Sequence, residues 1–174
     1  MTVNRTLFDA GVDIHPGTAI NADANSDITG DRINLSLYDR AYYLVVKPAG
    51  TAGDNLSFQF LQHTDATGGS SKALQVSRLW HKIGTLTDVG QWTQLDLATP
   101  ASSFDLAGIG LAADTSTALI LVEVPTDSLD TSGGYHFVSV NHEGDTVMLT
   151  LLVNGLWILT GSRYPQERPI SPLV

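Results

Sequence analysis

Five histidines, His15, His63, His81, His136 and His142, are the first residues in this chain to test for metal binding or general-base chemistry. No two of them share the spacing of a recognised metal-binding motif. His142-Glu143 with Asp145 brings an imidazole and two carboxylates together, but the run Asn141–Asp145 has the Gly and Asn/Asp content of a tight reversal. Solvated turn residues are the plainer reading there, and His63 near Asp65 reads as loop chemistry in the same way. A serine hydrolase would need an activated nucleophile. Gly68-Gly69-Ser70-Ser71 and Gly161-Ser162 both lack the G-x-S-x-G elbow that presents one. Gly108-Ile109-Gly110 lacks the third glycine and the following helix of a dinucleotide loop. A glycosidase needs two carboxylates across the scissile bond, and these lie far apart in sequence. Glutamate occurs only at 123, 143 and 167, with nothing to single out a pair. No catalytic site, no cofactor and no metal centre emerges, and the chain is not read as an enzyme.

Two binding chemistries remain. Oxygen-bearing side chains recur at every second position in Asp23-Ala24-Asn25-Ser26-Asp27, followed by Ile28-Thr29-Gly30-Asp31, which invites calcium. An EF-hand loop needs glycine where Ile28 stands and a bidentate glutamate where Asn34 stands, so a solvated turn entering the first strand is the simpler account. Trp80, Trp92 and Trp157 would suit a sugar-binding face. Each stands among strand-like apolar residues, which favours core or subunit-interface packing.

The elements that must position these residues are strands. With 174 residues the chain suits one domain with a sizeable core. Hydrophobic content is 43% and charged content 16%, which excludes a disordered chain. The net charge of −9 is spread as single aspartates and repels phosphate backbones, so no nucleic-acid partner is expected. Cysteine is absent, which excludes disulfides and thiolate chemistry. The start MTVNRTLFDAG has no apolar signal region, and synthesis in a cytoplasm without conventional export is expected.

The stretch Tyr135 to Pro165 organises the rest. Tyr135, Phe137, Ser139 and Asn141 alternate with His136, Val138 and Val140, the period of a two-faced strand. A turn at Asn141–Asp145 and a second apolar run from Val147 to Leu159 complete a central hairpin, with Asn154-Gly155 marking a bulge or a further turn. A transmembrane helix is the competing reading, but the run is too short and holds a Gly and an Asn. Earlier strands are expected at 32–37, at 41–47 (AYYLVVK) after a Tyr38-Asp39-Arg40 turn, and at 56–62, where Leu56, Phe58 and Phe60 share one face. Residues 73–83 alternate if a bulge lies near Arg78. Short strands follow at 91–97 and 104–111, and 118–124 (ALILVEV) reads as a buried strand. Residues 125–130 form a turn or one helical turn. This spacing predicts an all-β fold, a sandwich or barrel with jelly-roll-like topology over 31–165. It is flanked by an extended N-terminal arm, 1–30, and an extended proline-punctuated tail, 166–174. The arm has isolated apolar anchors, Leu7, Phe8, Val12 and Ile14, and is either disordered or laid against another surface.

Taken together, Asp31–Ala41, Gly50–Asn55, Thr64–Gly68, Lys72–Leu74, Val122–Val124, Ser128–Asp130 and Arg163–Pro165 resemble, in that order, small structural proteins of tailed bacteriophages of the head-decoration (cement) kind. The likeness spans most of residues 30–166. It implies a non-enzymatic virion protein on the capsid exterior, assembled in the host bacterial cytoplasm. Such a protein bridges major capsid subunits and stabilises the head as a homo-oligomer, a trimer above all, with no membrane partner. The arm lies outside the likeness; by separate inference its residues Leu7, Phe8, Val12 and Ile14 and the tail residues Tyr164, Pro165 and Ile170 are the expected capsid or subunit contacts. A neck, tail or baseplate component, and a carbohydrate-binding lectin-like module using the tryptophans, are the alternatives.

Overall fold

The computed structural model describes residues 12–18, 22–23, 28–50, 56–84, 91–111, 115–143 and 152–162. Twelve strands are formed: β1 Asp13–Pro16, β2 Ala22–Asp23, β3 Ile33–Asn34, β4 Tyr38–Lys47, β5 Ser57–His63, β6 Ser71–Ala73, β7 Val76–Gly84, β8 Thr93–Ala101, β9 Ser103–Asp105, β10 Thr117–Pro125, β11 Phe137–Glu143 and β12 Leu152–Ser162. A seven-stranded sheet runs β1-β12-β4-β10-β7-β8, with β2 also on β12. A five-stranded sheet runs β3-β11-β5-β6, with β9 also on β5. Every pairing is antiparallel.

Setting aside β2 and the β7–β8–β9 excursion, the remaining strands alternate between sheets as β1-β12-β4-β10 and β3-β11-β5-β6. That is the order of two interlocked Greek keys, so the sandwich is a jelly roll. The β7–β8 hairpin widens the first sheet beyond β10.

The core lies between the sheets. Ala41, Tyr43 and Val45 of β4, Ile120, Val122 and Val124 of β10, and Trp157 and Leu159 of β12 face Phe58 and Phe60 of β5 and Val138 and Val140 of β11, all fully buried. Tyr43 is the hub: its ring meets Trp157 and Phe60 edge-on, and its hydroxyl sits 2.8 Å from His142 Nε2.

The alternation read at Leu56, Phe58 and Phe60 holds, and the register of β7 on β8 breaks between Val76 and Arg78, where a bulge was expected. Residues 126–128 make one 3-10 turn. Five local readings are corrected. The Tyr135–Pro165 stretch is not a hairpin: β11 and β12 lie in opposite sheets, because the jelly-roll order sends the chain across the sandwich between them. His142 is not a turn residue but an inward member of β11, in phase with Val138 and Val140 and buried. Asn154-Gly155 marks neither bulge nor turn, since the pairing Asn154↔Val46, Gly155↔Val45 is unbroken. Glycine stands there because a Cβ would collide with the Tyr43 hydroxyl. The reversal before β4 lies at Ser36–Leu37, and Tyr38 already pairs with Ser162. Phe104–Leu111 is strand only through Asp105, whose carboxylate accepts from Gly108 N and turns the chain, with Gly110 at φ +81°.

Candidate interface on the large sheet

The two sheets differ in what they show to solvent. Outward positions of β5, β11 and β9 include Ser57, Gln59, Asn141, Ser103 and Asp105, with Leu61 and Phe137 as half-buried apolar members, a mainly polar exterior. The large sheet reads otherwise. Its register aligns Pro16, Leu156, Leu44, Leu121, Trp80 and Gln94 across six strands in one outward row. The next row is Ile14, Ile158, Tyr42, Glu123, Arg78 and Asp96. On the other side Val46 and Leu119 continue the apolar band. These side chains are half-buried by their neighbours rather than covered, and Ile14 is 43% and Trp92 42% exposed. A sheet with one face on a core and the other in water normally alternates apolar with polar. Here both phases are apolar, which marks a contact surface.

The charged side chains stand on β4, β10, β7 and β8, on both sides of the Trp80 row. Arg78 pairs with Asp96 at 2.8 Å and Arg40 with Glu123 at 3.3 Å, while Lys82 lies 5.3 Å from the Trp92 ring centroid. The face therefore holds three cations and two acids in a molecule whose net charge is −9.

Of the contact residues expected from sequence, Ile14 stands on this face in β1, beside Ile158. Val12 is half-buried just before β1. Leu7, Phe8, Tyr164, Pro165 and Ile170 lie outside the described residues. Within the segment read as an arm, β1 lies along β12, and Ile28 bridges to His142. The tie at β1 is polar: Asp13 Oδ2 accepts from the Tyr38 hydroxyl at 3.0 Å and sits 2.9 Å from His15 Nε2. The backbone N–H of Ile14 donates to Asp13 Oδ1.

The residues considered for chemistry are dispersed. His63 is buried between the hydroxyls of Ser71, 2.7 Å, and Ser139, 2.8 Å. Desolvation, with help from Arg32, holds its pKa down to about 4, so it is a neutral and weak base. Burial likewise lowers His142 to about 4. Asp65 turns back to cap Thr67 N. Glu123 pairs with Arg40, and Glu167 lies outside the described residues. Among the described residues no three His, Asp or Glu side chains gather in a metal-binding group; Asn25 and Asp27 of the calcium-like run lie outside them. A cleft of about 320 Å³ beside β8 is walled mainly by Leu95, Leu97, Phe104 and Ile109. Among the described residues no helix is long and apolar enough to cross a membrane.

Trp157 belongs to the core, while Trp80 and Trp92 lie on the outer face. Sequence reasoning missed the face as a site, although AYYLVVK and ALILVEV carried its signal: both phases of each strand are apolar.

No protein family model matches the chain, and no curated protein does. Among solved structures it is similar to the SPBc2 prophage-derived protein YomS, with 15% sequence identity and a TM-score of 0.30 over 90% of this chain and 99% of that one. At that score the likeness carries no argument about function.

Proposed function

We propose that this chain is a non-enzymatic structural protein of a tailed-phage particle, one that assembles through protein surfaces. In this reading it sits on the capsid exterior, bridges major capsid subunits as a homo-oligomer and stabilises the head. One observation carries the assembly role: the outer face of the large sheet, apolar in both strand phases from Ile14 to Trp80. The ordered run of motifs from Asp31 to Pro165 supports the phage setting. Binding only to the assembled shell stabilises it by mass action, and repetition over a lattice supplies avidity from weak single contacts.

Cryo-electron microscopy of particles carrying the protein tests this directly. Density of its size repeating over the head is the expected result. Density at a neck, tail or baseplate rejects the cement role, and absence from particles rejects the virion role.

The exposure of Trp92 favours one second reading, a carbohydrate-binding module using Trp80 and Trp92. The ring of Trp92 is faced by Lys82 at 5.3 Å and that of Trp80 by Arg78 at 6.0 Å, and these cations compete with a stacked sugar. A glycan-array signal lost in Trp92→Ala would establish the lectin reading in place of the first.

A further inference from the structure

We propose that the outer face of the large sheet is covered by the same face of a second copy, giving a two-fold dimer. The proposal deepens the assembly reading above and rests on it.

Area is the first argument. Five strands of nine to eleven residues and the four-residue β1, about 4.8 Å apart, present roughly 800 Å², the amount one partner contributes to a standard stable interface. Closure is the second. Among the described residues the broad apolar exterior is that of the large sheet, the small sheet showing only Leu61 and Phe137 among polar neighbours, so a face-to-face pair consumes the main adhesive surface of both copies and growth stops, as an isologous contact requires. The sheet edges do not compete for this role. Pro16 stands in β1, Pro100 stands in β8, and β8 bulges where Val76 pairs with Ala101 but Arg78 already pairs with Asp96. Prolines and bulges blunt edge-to-edge pairing.

Charge is the third argument. At a net charge of −9 two copies repel over most of their surfaces. This face has three cations against two acids, so it is where copies approach without that penalty. Its Arg40–Glu123 and Arg78–Asp96 pairs supply both signs at the rim.

The absence of cysteine makes the test clean. Light scattering on the full chain should give twice 18.6 kDa. Under mild oxidation, at least one of Leu44→Cys, Leu121→Cys and Leu156→Cys should form a disulfide-linked dimer, while Gln59→Cys on the polar sheet should not. Leu121→Lys should halve the mass with its far-UV circular dichroism unchanged. A monomeric wild-type chain, a trimer or larger species, or capture by Gln59→Cys alone would overturn the proposal. So would a Leu121→Lys variant that folds and keeps its mass. If Leu121→Lys misfolds, the cysteine captures decide alone. Head binding is measured separately: a dimer captured through this face but absent from virus heads leaves the pairing standing and removes the capsid reading.

Discussion

At the scale of single residues, the contact between Tyr43 and Gly155 sets the spacing of the core. Gly155→Ala places a methyl on the Tyr43 hydroxyl across a fully paired strand, where neither partner has room to move. A loss of about 2–3 kcal/mol is expected, read as a lower urea midpoint with unchanged slope. Tyr43→Phe removes the one hydrogen bond of the His142 imidazole, whose Nδ1 already has no partner among the described residues. That should cost about 1–3 kcal/mol by the same measurement. The two buried histidines also set the acid response. His63 and His142 are held near 4 in the fold, below the ordinary histidine value of 6.5. The unfolded chain therefore binds more protons between those values. Their contribution is complete above about pH 6.5 and falls away as the pH drops toward 4, by up to about 1.4 kcal/mol per pH unit for each histidine. Urea titrations at intervals from pH 7.5 to 4 check this, and a flat profile would show that neither imidazole is buried neutral.

At the scale of elements, β1 divides the N-terminal segment into two parts with separable roles. Residues 13–16 pair with β12, and buried Asp13 holds the Tyr38 hydroxyl. Deleting residues 2–20 strips that strand, opens the β12 edge and removes the Asp13 acceptor of the Tyr38 hydroxyl, a cost of about 1 kcal/mol from that hydrogen bond alone. Deleting residues 2–11 spares β1 and should leave a more stable fold than the longer deletion, read as the higher melting temperature of the two. If the shorter deletion abolishes head binding, the contact lies in the part containing Leu7 and Phe8; equal stability of both deletions would show that β1 adds nothing to the fold.

At the scale of the whole molecule, the two sheet exteriors differ, and the proposed assembly rests on that difference. One apolar face and one polar face make a particle with a direction. Pairing through the apolar face leaves the small sheets outward, available for a lattice. Under the proposed capsid role a dimer carries two binding ends and gains avidity, so a folded Leu121→Lys monomer should lose head retention by about 10²-fold or more. Co-sedimentation with heads lacking the protein measures this, and equal retention of monomer and dimer would separate pairing from head binding.

Much of this was legible in the residues themselves. The period of two in Leu56–Gln62 and Phe137–Asn141, the absence of convincing helices and the spacing of turns determined an all-β fold, a sandwich or a barrel. The bulge near Arg78 showed as a change of phase. These are local consequences of side-chain alternation, and local pattern is what a sequence records. Only the tertiary structure decided the rest. Proximity in sequence made β11 and β12 look like a hairpin, while the Greek-key order parted them, because strand partners in a jelly roll are set by long-range pairing. Gly155 looked like a turn residue until Tyr43 was placed against it. Ile14, Leu44, Leu121 and Ile158 became one surface for the same reason: a row across a sheet is assembled from strands distant in sequence, and its register exists only in the folded chain.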